Sequence, residues 1–328
     1  MKKNSNLFVA ELCQNHNGKF KNIERMVNEC AKYGADIIKL QNIYAKDLTF
    51  RYQFENGFFQ RKKILCIKRP YKSEYERLKK LEINYKDLEK FIKICEKNKV
   101  SPSITCFTRN SVKNLKNIGF KIIKIASYDC ASFMLIREIA SNFKRVILST
   151  GATYDDEITM AVKILKEHKT DFKLLHCVSI YPTPFNMLNL NRIQFLKKFT
   201  QNVGYSDHTI AQSINKNAAS LYSIFFGAKI IERHVRILDI DKTKDGKVSI
   251  KPEDIEEIKY FYELNHQDQA EYLKEKYNFN IISLAGKKNR ELSSIELLNR
   301  DYYRGRFANT VRGENIRTIY NWEESQVH

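Results

Sequence analysis

The sequence predicts an α/β protein built as a (β/α)8 TIM barrel, and three observations carry that reading. Eight short, β-rich apolar runs alternate with longer segments of helical spacing along the 328 residues. Eight such units in one chain of this length fit a closed barrel with a short extension behind it. The Gly-rich turn that a dinucleotide-binding open sheet needs after its first strand is missing, because that stretch reads "NHNGKF". The doubly wound sheet is therefore the second choice.

The first strand is "LFVAELC" (7–13). The helix after it places Ile23, Met26, Val27 and Cys30 on one face and ends at Gly34. The second strand, "DIIKLQ" (36–41), leads into a longer unit. Residues 43–84 form an insertion expected to act as a lid or flap over the barrel mouth. The third, fourth and fifth strands are "SPSITCF" (101–107), "KIIKIAS" (121–127) and "RVILST" (145–150). The helix after the fifth is expected to take Thr153 as its N-cap, with acids in the first turn. The sixth, seventh and eighth are "FKLLHCVS" (172–179), "NVGYSD" (202–207) and "AKIIERHV" (228–235). The seventh is followed by "AQSINKNAASLYSIFFG", stopping at Gly227, and the eighth by a helix opening at Pro252. Residues 1–265 are thus the catalytic barrel, and 266–328 an extension too short and polar to be a large independent domain.

Composition narrows the function. With 43% hydrophobic residues a sizeable core can be buried, which argues against disorder. Net charge is +19, but lysine is spread over the whole chain without a long basic run, which argues against a nucleic-acid partner. The same field attracts a small anion. Seven cysteines, an odd number with no C-x-x-C, read as reduced core thiols in a cytoplasmic protein. No apolar run approaches the roughly 18 residues that span a membrane, and no secretory leader fits the N-terminus.

In a barrel the chemistry sits where strands end. The ends give Glu11, Lys39, Thr105, Lys124 with Ser127, Ser149, Ser179 with Tyr181, Ser206 with His208, and Glu232 with His234. One polar strand end is unremarkable, but eight converging without a ligand would be costly. Lys39 and Lys124 can neutralise an anion; Thr105, Ser127, Ser149 and the helix start in "STGAT" can cradle a phosphate or carboxylate. His208 and His234 come from neighbouring strands and could share a divalent metal, or could be two separately hydrogen-bonded side chains. Glu11, Glu232 and Asp245 are carboxylates able to orient hydroxyls or handle protons.

The ordered stretches "FVAELCQNHNG", "IIKLQ", "KIAS", "LSTGAT", "LLHCVSIYPTP", "VGYSDHT" and "GAKIIERHV" resemble the N-acetylneuraminate (sialic acid) synthase family over residues 7–307. The resemblance implies condensation of phosphoenolpyruvate with an aldose, N-acetylmannosamine or a related amino sugar. The products are a sialic-acid-like 3-deoxy-2-ulosonic acid and phosphate. It implies a divalent metal, Mn²⁺ with Mg²⁺ or Co²⁺ as alternatives, on His208 and His234. Lys39, Lys124 and Ser206 match contacts of the phosphoenolpyruvate carboxylate end; Thr105, Ser127 and Ser149 match phosphate contacts. Ser179, where the family often has Asn, is grouped with these. Glu11 matches a carboxylate near the metal, and Tyr181, Glu232 and Asp245 match the sugar side. A homodimer is expected by the same token. The chain departs from the family at Asp129, often Glu, and at "TKDGKVSI" (243–250). It ends at residue 328, so the family's C-terminal antifreeze-like domain is expected to be absent. The alternatives are a synthase using a non-acylated aldose and a non-catalytic barrel that retains ligand binding.

Overall fold

The computed structural model describes residues 6–61, 63–311 and 317–320. Its centre is a closed barrel of eight parallel strands: β1 (Leu7–Glu11), β2 (Ile37–Asn42), β5 (Ser101–Cys106), β6 (Ile122–Ile125), β7 (Arg145–Ser149), β8 (Asp171–His176), β9 (Val203–Asp207) and β10 (Ile230–His234). Between β2 and β5 runs the insertion, with α2 (Gln53–Asn56), the hairpin β3 (Phe58–Gln60) and β4 (Lys63–Cys66), and α3 (Tyr71–Lys79).

The barrel closes because each strand is buried on both faces, inward and outward residues alternating at period two. Inward Leu7, Val9, Ile37, Ile122, Ile147, Leu175 and Ile230 pack into an apolar plug at the lower end. Gly204 belongs to this layer: a Cβ there would strike the Ile230 carbonyl and lie 2.6 Å from the Leu175 methyl. Outward residues join the larger core beneath the helices. Helices α1 (Phe20–Lys32), α4 (Tyr85–Lys97), α5 (Arg109–Asn117), α6 (Phe133–Asn142), α7 (Asp155–Glu167), α8 (Arg192–Leu196), α9 (Ala218–Phe225) and α10 (Ile255–Glu263) follow strands β1, β2 and β5–β10, that for β2 lying beyond the insertion. In α1, Ile23, Met26, Val27 and Cys30 are the buried face, as the 3.6-residue period predicts.

Two helix starts differ from the sequence reading. The N-cap of α7 is Tyr154, whose N–H is taken by the Glu157 carboxylate at 2.9 Å. The Thr153 hydroxyl turns instead to the carbonyls of Ser127 (3.1 Å) and Gly151 (2.9 Å), because it is buried and must donate locally. The segment 211–217 forms turns, and α9 begins at Ala218, where Asn217 is tied to the Asp254 carbonyl and the Glu257 carboxylate.

Beyond α10 come α11 (His266–Lys276), α12 (Ile281–Ala285), α13 (Ser294–Tyr303) and a hairpin of β11 (Ala308–Val311) with β12 (Arg317–Tyr320). Helix α13 opens with a capping box between Ser293 and Glu296. It lies across the barrel rim: Arg300 donates to the Ala152 carbonyl (2.7 Å) and to Glu157, and Asn299 donates to the Ser179 carbonyl (3.0 Å). The insertion packs on the same segment. Arg51 donates to the carbonyls of Asp301 and Arg304, and Leu48 bridges to Phe307. No described helix is long and apolar enough to cross a membrane.

Candidate active site

Two residues above the apolar plug, the inward positions turn polar. The same alternation that buries Val9, Ile37, Ile122, Ile147 and Ile230 points Glu11, Lys39, Lys124, Ser149 and Glu232 into the upper barrel. Strand register aligns them: Glu11 faces Lys39 and His234, Ser206 faces Glu232, and Thr105 faces both Gln41 and Lys124. One cavity is lined by Glu11, Lys39, Thr105, Lys124, Ser127, Ser149, Tyr181, Ser206, His208, Glu232 and His234.

Two residues expected from the sequence lie outside that lining. Ser179 sits behind Gly151, with its N–H aimed at Glu296 and its carbonyl held by Asn299. Asp245 lies at the edge of the cavity, against Cys13 and His234. Gln41, Phe107 and Tyr128 also line the cavity, and the sequence reading does not include them. Gln41 carries a signal that finds it, since it follows Lys39 at i+2 on the same strand face. In "SDHT", Ser206 and His208 face inward while Asp207 and Thr209 face outward. Asp207 pairs with the fully buried Arg233 and accepts from Ser220 at 2.6 Å, an anchor between strand and helix.

The cavity floor is a buried network of charges. Lys124 donates to Glu232 at 2.8 Å, and Ser206 donates to the same oxygen at 3.1 Å. Lys39 pairs with Glu11, donates to Thr105 at 3.1 Å, and lies 3.9 Å from the other oxygen of Glu232. Burial opposes ionisation of Glu232, but Lys124 and Lys39 outweigh it and hold the carboxyl below its ordinary range. Burial pulls the Lys39 ammonium down to about 7, against the attraction of Glu232 and with the neighbouring Lys124 adding to the fall. Two lysines thus face two carboxylates, ready to exchange part of that pairing for an anion. Beside them the Ser149 hydroxyl is buried without a hydrogen-bond partner, and Gly151 N–H donates to the Ser127 oxygen at 3.2 Å. Gly151 has no room for a side chain: a Cβ would lie 2.5 Å from the Ser179 hydroxyl and 2.6 Å from the Cys177 sulfur.

The opposite wall carries the imidazoles. The rings of His208 and His234 are 5.5 Å apart and nearly perpendicular, at 89°. Two imidazoles bound to one ion at about 2.0–2.1 Å, on bonds near a right angle or tetrahedral, place their ring centres roughly 4.5–5.5 Å apart. The spacing of the pair lies at the upper end of that range. His208 Nδ1–H donates to the Val178 carbonyl at 3.1 Å, which leaves Nε2 as the lone pair, with Ser206 Oγ at 3.5 Å. The Nδ1 of His234 is buried without a hydrogen-bond partner, and Asp245 Oδ2 is 3.9 Å away. Burial depresses His208 to about 4, and burial together with the neighbouring His208 and Lys39 depresses His234. Both rings are neutral at pH 7, the form that ligates a metal. Tyr181 covers them, its ring 4.3 Å from that of His208.

Comparison with known proteins places the chain in a family. The model of the NeuB family matches residues 26–269, well over half of the chain. The chain is similar to the N,N'-diacetyllegionaminic acid synthase of Campylobacter jejuni, with 32% identity over 253 residues, 76% of this chain and 73% of that protein. It is similar to the pseudaminic acid synthase of the same organism, with 28% identity over 80% of this chain and 73% of that one. Among solved structures, the N-acetylneuraminic acid (sialic acid) synthetase of Leptospira borgpetersenii in complex with citrate has a TM-score of 0.68 and 27% identity, covering 91% of each chain. The chain belongs to the NeuB family, and it is a phosphoenolpyruvate-utilising condensing enzyme, a transferase.

Proposed function

We propose that this chain condenses phosphoenolpyruvate with N-acetylmannosamine or a related N-acylated amino sugar, adding water, to give a sialic-acid-like 3-deoxy-2-ulosonic acid and phosphate. One observation carries the reading: a single cavity sets two lysines and four serine and threonine hydroxyls against two neutral imidazoles and two carboxylates. The first group suits a small phosphorylated carboxylate, and the second suits a cation and a polyol.

In this reading Lys39, Lys124 and Ser206 hold the carboxylate of phosphoenolpyruvate, and Thr105, Ser127 and Ser149 hold its phosphate. Ser149, buried and unpartnered, gains an acceptor only when that anion is bound. Ser179 lies behind Gly151 and leaves no room there for a side chain. Because Glu232 already joins Lys124 and Ser206, it keeps the cationic pocket assembled between turnovers.

His208 and His234 would hold a divalent cation, Mn²⁺ or a similar ion, which when bound polarises the sugar aldehyde. Tyr181, over these rings, and Glu232 and Asp245 beside them orient the sugar. The methylene carbon of phosphoenolpyruvate then attacks the aldehyde carbon, water adds to the carbon bearing the phosphate oxygen, and phosphate leaves by C–O cleavage. Glu11 lies between Lys39 and the His234 register position, where it can take the proton of that water. Seven free, buried thiols suit a reducing compartment, the cytoplasm.

The test is mass spectrometry of products formed from phosphoenolpyruvate and a panel of N-acetylmannosamine, diacetamido sugars and plain aldoses. A new 3-deoxy-ulosonic acid with an N-acylated sugar is expected, with phosphate released in equal amount. No new acid with any of the panel, divalent cation supplied, refutes the reading.

A further inference from the structure

The donor set near the imidazoles includes a sulfur. Cys13, His234 and Asp245 each present a ligand atom, all within 4.8 Å of one another. Cys13 Sγ lies 2.7 Å from Asp245 Oδ2, and that oxygen is 3.9 Å from His234 Nδ1. Ligand atoms on one tetrahedral ion with bonds of about 2.0–2.3 Å are roughly 3.3–3.8 Å apart. The two measured edges bracket that spacing, so small side-chain shifts bring all three donors onto one ion.

Two further observations show that the sulfur is placed rather than accidental. Cys13 has φ of 47°, a left-handed conformation that favours glycine, yet a side chain is held there. Its N–H donates to Glu11 at 2.6 Å, and Gln41 donates to its sulfur at 3.2 Å, so both backbone and side chain are fixed from the cavity side. Asp245 is fixed equally well. Its N–H donates to Asn15 Oδ1 at 3.3 Å and its carbonyl accepts from Ser249 at 2.6 Å, while Asn15 Nδ2 bonds Ser249 and the Val235 carbonyl. Asn15 thereby stitches the loop of Cys13 to that of Asp245. His234 contributes a nitrogen that is buried and otherwise unpartnered.

We propose that Cys13 is a thiolate ligand of the divalent cation in this chain, acting with His234 and Asp245, and that it biases the site toward softer ions such as Zn²⁺, Co²⁺ or Fe²⁺ over Mn²⁺ and Mg²⁺. The inference rests on the proposed function only for the presence of a cation at the imidazoles. As the sulfur–metal bond forms, the thiol proton passes to water. Thiolate donors select borderline and soft cations, whereas carboxylate and water suit Mn²⁺ and Mg²⁺.

The test uses the full chain, stripped of metal and reloaded with Co²⁺, in wild-type and Cys13→Ser forms. Elemental analysis gives the bound cobalt, and absorption reports its ligands. Wild type should show a thiolate-to-cobalt charge-transfer band in the near ultraviolet, and Cys13→Ser should bind cobalt without it. In competition, Cys13→Ser should lose about 10- to 100-fold in Zn²⁺ affinity, as removal of a well-placed group near a metal does, and much less in Mn²⁺ affinity. Cobalt bound to wild type without the band overturns this inference and leaves the imidazole site standing. No cobalt uptake by wild type overturns both. Should Cys13→Ser not fold by circular dichroism, Cys13→Gly, suited to the left-handed backbone, takes its place in the comparison.

Discussion

Replacing Glu232 by Gln should destabilise the ligand-free protein by about 3–5 kcal/mol, the usual loss when one partner of a buried ion pair is removed. Phosphoenolpyruvate should then stabilise the variant more than the wild type. The magnitude follows from the floor of the cavity. Glu232 accepts from Lys124 at 2.8 Å and lies 3.9 Å from Lys39, all three side chains being almost fully buried. At an effective dielectric of about 20 those separations correspond to attractions of about 6 and about 4 kcal/mol. Much of this is offset by desolvation already suffered by the ions, which is why the smaller figure is expected. The amide keeps the size of the side chain but leaves Lys39 and Lys124 with Glu11 as their remaining carboxylate. An anionic ligand then supplies the missing negative charge, so its stabilising effect grows. Urea unfolding of both proteins, with and without phosphoenolpyruvate, measures each term. A loss under about 1 kcal/mol, the value of an exposed pair, would show that Glu232 does not hold these lysines. An equal response of both proteins to phosphoenolpyruvate would show that the ligand is not bound there.

Other perturbations test other parts of the site. His234→Ala should abolish turnover and weaken cation binding in calorimetry; full activity would remove the imidazole from the reaction. Gly151→Ala should cost about 1–3 kcal/mol by overpacking and raise KM for phosphoenolpyruvate, because the new Cβ would lie 3.0 Å from the Ser127 oxygen as well as against Ser179 and Cys177; an unchanged KM would separate this turn from the anion. Arg300→Ala should lower both stability and kcat/KM, since Arg300 ties α13 to the Ala152 carbonyl and Glu157 at the rim; an effect on stability alone would make the helix a mere brace. Burial, with Arg290 nearby, lowers His176 to about 3 from an ordinary 6.5. The folded state therefore binds fewer protons than the unfolded chain between those values, so stability is lost as pH falls from about 6.5 toward 3. The slope is up to about 1.4 kcal/mol per pH unit for this group. Urea midpoints from pH 7 to pH 5 should fall less steeply in His176→Gln, and an identical slope would clear this histidine.

Much of the site is legible in the sequence, because a barrel strand obeys a two-residue period. Once Val9, Ile37, Ile122 and Ile230 are assigned inward, the residues two further on must share their face, and these are Glu11, Lys39, Lys124 and Glu232. The same rule reaches Gln41, which follows Lys39 on that face and which a reading of charged and hydroxyl strand ends leaves out. Tyr128 is harder to find, since it lies past the end of β6 in a short turn and stacks on Tyr303 from the far end of the chain, ring centres 4.8 Å apart.

Sequence alone, then, determined the barrel and the polar ring above its plug, because alternation along a strand is a local property that each segment carries with it. Tertiary structure alone decided which loops meet across the rim. Nothing within residues 7–17 says that Cys13 will touch Asp245, 232 positions away, or that Ser179 will be held from behind by α13. Those contacts depend on how loops dock once the barrel has closed, and docking is set by shape and hydrogen-bond partners that no single segment contains.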